Sequence, residues 1–251
     1  MLTALLTMLM GMIATTMTPV TAGERGSGLL SRTVSVGNSS YSYQVYVPAG
    51  LKQGEKVPVI VFLHGIGQRG EGGFVPSQGG AGLMVRSYME RMPAIVVLPQ
   101  CRRGRYWNDS DMTEMVMATL DKSVAEFNGD SERLYLIGVS MGGYGAWHVA
   151  SQYPGKFAAI VPICGGSPLR SGDRFTQIAR KVGNTPVWVF HGADDRVVPV
   201  SESRQMVQAL KAAGGNVRYS EYQGVGHNVW LNAASESELL PWLLGHRLGK
   251  S

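Results

Sequence analysis

The stretch that decides the fold is Leu134-Tyr135-Leu136-Ile137-Gly138-Val139-Ser140-Met141-Gly142-Gly143-Tyr144-Gly145-Ala146-Trp147. Its apolar run up to Val139 is typical of a buried strand, and the segment from Met141 onward is typical of a helix. Glycines two positions before and two positions after Ser140 allow a strand and a helix to approach closely around a tight turn. The stretch therefore predicts a strand, a sharp turn and a helix, with the Ser140 hydroxyl projecting above the edge of a sheet.

The pattern Gly-x-Ser-x-Gly is short, and the chain contains 33 glycines. The motif alone does not distinguish a functional serine from a chance match in an ordinary turn. The sequence must therefore supply partner residues at other strand ends before Ser140 is assigned a role.

The rest of the chain alternates strand-like and helix-like segments around this turn. Strands are predicted over residues 31–37, 41–47, 57–63, 94–98, 134–139, 157–163, 186–190 and 217–222. Helices are predicted over residues 82–92, 141–153, 174–182, 201–213 and 233–248. A further helix, capped by Asp109 or Ser110, is predicted from apolar positions that recur between Met112 and Phe127. The first two strands form a hairpin around Gly37-Asn38-Ser39-Ser40, so we expect an α/β fold: a doubly wound, mostly parallel eight-stranded sheet with an N-terminal antiparallel hairpin.

The N-terminal segment resembles a secretory signal. Residues 1–22 carry no charged side chain, and an apolar run over residues 2–12 is followed by small and polar residues ending in Val20-Thr21-Ala22. The sequence predicts cleavage after Ala22, a single domain over residues 23–251, a periplasmic or secreted location and no stable membrane insertion. A retained membrane anchor is the alternative, although the run is short for a bilayer span.

Charge and cysteine usage exclude several classes of function. The net charge of +5 is spread along the chain, and its densest cluster, Arg102-Arg103-Arg105, is too small to indicate nucleic-acid binding. Cys101 and Cys164 are the two cysteines, so there is no disulfide framework. Free buried thiols are favoured, and a bridge between them stays open.

The stretch Gly65-Ile66-Gly67-Gln68-Arg69-Gly70 matches the G-x-G-x-x-G fingerprint of dinucleotide-binding proteins. That fingerprint must open a helix directly, because the helix N-terminus holds the pyrophosphate. Here the next residues are Glu71-Gly72-Gly73-Phe74-Val75-Pro76, which do not favour a helix. We therefore expect no dinucleotide cofactor.

Five histidines compete for the role of a base beside Ser140. In open α/β sheets the site lies beyond the carboxyl ends of the strands. His148 and His246 fall within predicted helices, and His64 and His191 directly precede glycines at strand ends. His227 follows the last strand in a glycine-flanked loop, which favours it as the base, although a plain surface histidine is the alternative.

Two further elements complete the predicted site. The base needs a carboxylate, and Asp194 and Asp195 are equally placed after the preceding strand. Two backbone N–H groups are expected to hold an oxyanion: that of Met141, directly after Ser140, and that of Ile66, after the third strand.

The residues at these strand ends resemble the α/β-hydrolase superfamily, and in particular the bacterial esterases grouped with feruloyl esterases, dienelactone hydrolases and prolyl-oligopeptidase-type peptidases. The resemblance places the acid at Asp195, because the family's loop has the form His-Gly-x-x-Asp-x-x-Val-Pro. The matching stretches are Phe62-Leu63-His64-Gly65, Pro99-Gln100-Cys101, Gly138-Val139-Ser140-Met141-Gly142-Gly143, His191-Gly192-Ala193-Asp194-Asp195-Arg196-Val197-Val198-Pro199 and Gly226-His227-Asn228-Val229-Trp230.

The resemblance implies ester hydrolysis through an acyl intermediate on Ser140, with neither a metal nor an organic cofactor. The implied substrates are short-chain or aromatic, feruloyl-type esters, either small molecules or esters of plant-cell-wall type. Peptidase or amidase activity, polyester depolymerisation and polysaccharide deacetylation are the alternatives. A non-enzymatic binding protein is disfavoured because Ser140, Asp195 and His227 are all present.

Substrate-binding candidates are Gln100 and Trp107. No separate cap domain is expected between the strands, so the predicted pocket is open and formed by residues 68–82, 102–107 and 165–173. Trp107 is expected either to line an aromatic acyl site or to pack under its loop. The oligomeric state is left open by the sequence.

Overall fold

The computed structural model describes residues 26–52, 54–71 and 92–249. Eight strands in this part of the chain form one sheet in the order β1-β2-β4-β3-β5-β6-β7-β8. The strands are β1 (Gly28–Val36), β2 (Ser39–Val47), β3 (Val57–Leu63), β4 (Ile95–Pro99), β5 (Gly129–Val139), β6 (Ala159–Ile163), β7 (Val187–Gly192) and β8 (Val217–Tyr222).

The pairing of the strands confirms the predicted topology. Strand β1 pairs antiparallel with β2, and β2 pairs antiparallel with β4. The remaining pairs, from β4 through β3 to β8, are parallel. The hairpin turns at Gly37, whose φ of 54° is a left-handed conformation that glycine adopts without steric cost.

Helices cover both faces of the sheet, so the fold is doubly wound. Side chains alternate along β3, where Val59 and Val61 face one apolar core and Ile60 and Phe62 face the other. The first core is covered by α1 to α4 and the second by α5 and α6. The helices are α1 (Ser110–Phe127), α2 (Met141–Gln152), α3 (Arg174–Val182), α4 (Ser201–Ala212), α5 (Trp230–Ser235) and α6 (Leu239–Gly245).

The prediction of one closing helix over residues 233–248 is wrong. The chain forms two short helices, α5 and α6, with an extended backbone at Glu236 between them. Pro241 explains the break, because a proline inside a continuous helix would lack the N–H for the Ser237 carbonyl and its ring would clash there. In α6 the proline instead lies in the first turn, where no such bond is needed.

Two sequence predictions lie outside the described residues: the signal segment 1–22 and nearly all of the helix over residues 82–92. Within the residues that are described, none of the helices combines the length and apolarity that crossing a membrane requires. Across the same three ranges, no separate cap domain is inserted between the strands.

Candidate active site

Ser140 occupies the turn between β5 and α2 in a strained backbone conformation, with φ 57° and ψ −117°. The flanking glycines permit this turn because the backbones are too close for a side chain. A Cβ on Gly138 would overlap the carbonyl of Gly142, and a Cβ on Gly142 would overlap the carbonyl of Leu63. The predicted strand, turn and helix are therefore present, and the hydroxyl lies at the carboxyl edge of the sheet.

Two short hydrogen bonds connect three of the predicted site residues. Ser140 Oγ lies 2.8 Å from His227 Nε2, and His227 Nδ1 lies 2.7 Å from Asp195 Oδ2. Because a carboxylate only accepts, Nδ1 carries the imidazole proton and Nε2 is left to accept from the Ser140 hydroxyl. The His227 side chain is 20% exposed, whereas that of Asp195 is fully buried.

Asp195 is the aspartate that faces His227, and Asp194 is exposed. Asp195 Oδ1 accepts hydrogen bonds from the backbone N–H groups of Val197 (2.8 Å) and Val198 (2.9 Å). Burial raises the pKa of the Asp195 carboxyl, but the hydrogen bonds from His227 and these N–H groups lower it further, and the net pKa lies below its ordinary value. Asp195 therefore stays ionised beside the imidazole.

The predicted oxyanion donors lie next to Ser140. Met141 is the first residue of α2, and Ile66 is the first residue of a short 3₁₀ helix (Ile66–Gln68). A backbone N–H in the first turn of a helix has no partner within that helix, so both can point to a ligand. The two loops are close, since a Cβ on Gly65 would lie 3.7 Å from Ser140 Cβ.

An open groove of about 540 Å³ contains Ser140. Two of the three predicted pocket segments contribute to it, namely the region around residues 106–109 and residues 167–170. Of the third segment, residues 68–82, most lies outside the described residues. The lining residues are Ile66, Tyr106, Asn108, Asp109, Ser140, Met141, Tyr144, Ser167, Pro168, Leu169, Arg170, Arg174 and Val197.

Trp107 does not line this groove, which corrects its placement in an aromatic acyl site. The side chain is 1% exposed, and its indole N–H donates to the His64 carbonyl at 2.9 Å. It packs so tightly on α2 that a Cβ on Gly145 would lie 2.5 Å from the Trp107 Cβ. Trp107 therefore packs under its loop, which was the alternative prediction for this residue. Its neighbours Tyr106 and Asn108 line the groove.

Gln100 is also placed differently from its predicted role. It is buried, and its amide N–H donates to the Gln68 carbonyl at 3.2 Å. It borders a second, polar cavity of about 390 Å³, shared with Tyr41 and Arg102, that does not include Ser140. Gln100 therefore supports the loop after β3 and does not line the groove at the nucleophile.

A residue that sequence reasoning set aside lies against the acid. His191 is fully buried, with Nε2 3.4 Å from Asp195 Oδ2 and 3.0 Å from the Val198 carbonyl. Its Nδ1 lies 2.7 Å from Ser203 Oγ on α4. Burial lowers the pKa of His191 below its ordinary value, so the ring is neutral there. The His-Gly pair at the end of β7 was the available signal for His191, and none pointed to Ser203.

One group of side chains has the donor types of a metal site. Cys164, Asp195 and His227 offer ligand atoms that lie within 4.8 Å of one another. Asp195 and His227 are hydrogen-bonded to each other, and burial raises the pKa of the Cys164 thiol above its usual range. Cys101 and Cys164 are both free and buried.

Comparisons with known proteins show that the chain is similar to esterases. A family profile described as phospholipase/carboxylesterase matches residues 107–236, which is just over half of the chain. The crystal structure of a thermostable esterase superposes with a TM-score of 0.78 at 31% identity, covering 87% of this chain and 63% of the other.

Two curated relatives are similar over shorter segments. Carboxylesterase SOBER1 of Arabidopsis thaliana is 29% identical over 116 residues, 45% of this chain and 49% of its own length. A poly(3-hydroxyoctanoate) depolymerase of Pseudomonas fluorescens is 32% identical over 123 residues, 47% of this chain and 42% of its own length. The chain thus spans less than half the length of these two relatives.

Proposed function

The chain belongs to the phospholipase/carboxylesterase family of α/β-hydrolases, and from this premise we propose that it is a serine carboxylic-ester hydrolase. The observation that carries the proposal is the pair of hydrogen bonds from Ser140 Oγ to His227 Nε2 and from His227 Nδ1 to Asp195 Oδ2. They join a nucleophile, a base and a carboxylate at the wall of an open groove. The family assignment agrees with the resemblance seen in the sequence.

In the first half of the reaction, Ser140 Oγ attacks the ester carbonyl carbon while His227 Nε2 takes the hydroxyl proton. The carbonyl oxygen becomes an oxyanion, which the N–H groups of Ile66 and Met141 stabilise by hydrogen bonds. The C–O bond to the alcohol then breaks, and the imidazolium returns its proton to the leaving oxygen. The acyl group remains as an ester on Ser140.

In the second half, water enters the groove and loses a proton to His227 as its oxygen attacks the acyl carbon. The tetrahedral intermediate collapses, Ser140 recovers its proton from the imidazolium, and the carboxylic acid leaves. Asp195 stabilises the imidazolium in both halves. Its buried carboxylate fixes the Nδ1–H tautomer of His227 and stays ionised throughout the reaction.

We propose short-chain and aromatic esters as the substrates. The open groove, bordered by Tyr106, Tyr144 and Leu169, accommodates either acyl type without a cap. Esters of plant-cell-wall type fall within this class. A panel of p-nitrophenyl acetate, p-nitrophenyl octanoate, methyl ferulate, acetylated xylan and an aminoacyl p-nitroanilide separates ester from amide cleavage and ranks the acyl groups.

The direct test is hydrolysis of p-nitrophenyl acetate by the wild type and by Ser140→Ala. The wild type should turn over the ester, and Ser140→Ala should lose turnover while its circular dichroism spectrum and melting temperature stay close to wild type. Undiminished hydrolysis by Ser140→Ala would remove the proposal.

We also propose that residues 23–251 act as one exported catalytic domain. The support is the uncharged apolar segment over residues 2–12 and the small-x-small sequence that ends at Ala22. After expression in a Gram-negative host, N-terminal sequencing of the periplasmic protein should begin at Gly23. Exported material that begins at Met1 would contradict cleavage.

A further inference from the structure

The groove at the nucleophile is lined by three charged side chains, those of Asp109, Arg170 and Arg174. Asp109 forms an ion pair with Arg105 at 3.1 Å. Arg174 forms an ion pair with Glu202. No carboxylate of the described residues pairs with Arg170, whose side chain is exposed. The groove wall therefore carries one positive charge without an ion-pair partner in the described part of the chain.

The carboxylate of Glu202 is held in place on Arg174, because both of its oxygens are engaged. Oε1 accepts from the Arg174 guanidinium, and Oε2 accepts from the backbone N–H of Ser167 at 3.3 Å. Glu202 also packs directly on the loop backbone, since a Cβ on Gly166 would lie 2.3 Å from Oε2. A turn of Glu202 toward Arg170 would break both contacts, so the guanidinium of Arg170 stays available to a ligand.

Arg170 lines the same cavity as the nucleophile. It belongs to the segment between β6 and α3, whose residues 167–170 form one wall of the groove. Tyr144 follows Ser140 by one helical turn, and side chains on a helix lean toward its N-terminus, where Ser140 lies. The three side chains thus border one groove of about 540 Å³, a volume that holds a single small ligand.

Tyr144 adds a neutral hydrogen-bond donor to the unpaired guanidinium. Burial, together with the negative charge of Glu202, raises the pKa of Tyr144 to about 12, so its hydroxyl keeps its proton at neutral pH. The neighbouring hydroxyl of Ser167 is already used, because it donates to the Arg174 carbonyl at 3.0 Å. Tyr144 and Arg170, which we call the donor pair, therefore offer N–H and O–H groups suited to an anion.

We propose that the donor pair binds a carboxylate of the substrate, so that the enzyme prefers esters that carry a negative charge apart from the scissile bond. The inference rests on the proposed esterase function and narrows its substrate class. It gives Arg170 a role in specificity and leaves the chemistry to Ser140, His227 and Asp195.

A carboxylate fits the donor pair in both charge and shape. One unpaired guanidinium balances one negative charge, whereas a phosphate monoester brings about −1.5 to −2 charges at pH 7. The planar guanidinium of Arg170 can also donate two parallel hydrogen bonds to the two oxygens of a carboxylate. Because Arg170 is exposed to water, the contact should contribute only about threefold to tenfold in kcat/KM.

Two sets of matched esters test the proposal, one for each side of the scissile bond. On the acyl side, mono(4-nitrophenyl) adipate and 4-nitrophenyl hexanoate have the same leaving group and chain length, and only the adipate ends in a carboxylate. On the alcohol side, 4-acetoxybenzoate and 4-acetoxybenzamide differ in the same charge. For each set, the charge preference is the kcat/KM of the anionic ester divided by that of the neutral ester.

Arg170→Gln should lower the charge preference about threefold to tenfold in one of the two sets, through KM rather than kcat. The set that responds identifies the side of the ester that carries the carboxylate. Arg170→Lys keeps the charge but loses the planar fork, so it should recover part of the preference. The matched control is Arg180→Gln, which removes the same charge from the exposed last turn of α3, outside the groove lining, and should leave the preference unchanged.

Equal charge preferences in wild type and Arg170→Gln for both sets would overturn the proposal. An equal loss in Arg180→Gln would also overturn it, because the preference would then come from the net charge of +5 on the whole chain. Since Arg170 is exposed, the melting temperature of its variants should match that of wild type. Wild-type protein inactive on both neutral esters would instead mark failure of the esterase proposal itself.

Discussion

His227 and His191 approach the same oxygen of the same carboxylate, yet their surroundings give them different capacities. His227 Nδ1 lies 2.7 Å from Asp195 Oδ2, and its other nitrogen faces Ser140 and the groove. His191 Nε2 lies 3.4 Å from that oxygen, and its ring is fully buried between Val198 and Ser203. A histidine beside the acid can exchange protons with a substrate only where one nitrogen reaches the groove.

A third histidine extends the comparison. His64 directly follows β3 and His191 is the next-to-last residue of β7, and each is followed by glycine. His64 Nδ1 donates to the Gly65 carbonyl at 2.7 Å, and its Nε2 accepts from Cys101 N–H at 3.1 Å. It thereby fixes the loop that bears Ile66, much as His191 fixes the loop that bears Asp195. The two buried histidines thus fix the loops of Ile66 and Asp195, which surround the partly exposed His227.

The largest effect is expected from His227→Gln. It removes the base that faces Ser140, so kcat on p-nitrophenyl acetate should fall by about 10⁵-fold or more. Because the side chain is partly exposed, the melting temperature should change little. Steady-state kinetics and a thermal melt test both statements, and a loss of less than tenfold would exclude His227 as the base.

Asp195→Asn should lower kcat by about 10⁴-fold, because an amide N–H in place of Oδ2 favours the wrong tautomer of His227. The matched control is Asp194→Asn, at the exposed neighbouring position, which should keep kcat within twofold. If the two variants exchanged these effects, the acid would be Asp194.

Substitution of His191 should lower kcat by a smaller factor, which depends on the side chain that replaces it. His191→Leu removes both nitrogens behind Asp195, and we expect kcat to fall about tenfold and unfolding free energy to fall by about 1–3 kcal/mol. His191→Gln keeps an N–H donor toward Val198 and should recover most of kcat. Steady-state kinetics and urea unfolding of both variants measure these two effects.

His64 should affect stability and its pH dependence while leaving the nucleophile in place. Burial lowers the pKa of His64 to about 4 from the ordinary value of 6.5. Between these values the unfolded chain binds more protons than the folded one, so stability falls as the pH drops. The loss from this residue should reach about 2 kcal/mol between pH 7 and pH 5.

Urea unfolding of wild type and His64→Asn at both pH values measures this loss. The asparagine does not titrate, so the variant should show a pH dependence smaller by that amount. Identical pH dependence in the two proteins would show that His64 is not protonated on unfolding.

Much of the site could be predicted from the sequence because local patterns encode it. The glycines around Ser140 predict the tight turn, because the backbone there leaves no room for side chains at their positions. His227 was distinguished from the other histidines by its glycine-flanked loop. Asp194 and Asp195 could not be separated by spacing, since both follow β7 and only the folded loop buries one of them. The family resemblance named Asp195, and in the structure Asp195 is the aspartate hydrogen-bonded to His227.

Other features could not be predicted from the sequence, because they too depend on tertiary packing. Trp107 precedes a residue that faces the groove, but its own ring turns into the core against Gly145. The periodicity over residues 233–248 fitted one helix, and Pro241 divides it into two.

The most direct test of the account is the covalent modification of Ser140. Incubation with a fluorophosphonate, followed by peptide mass spectrometry, should give one adduct per chain, on the peptide that contains Ser140. The adduct should be absent in Ser140→Ala and should form much more slowly in His227→Gln. An adduct on another residue, or equal labelling of Ser140 with and without His227, would contradict the account.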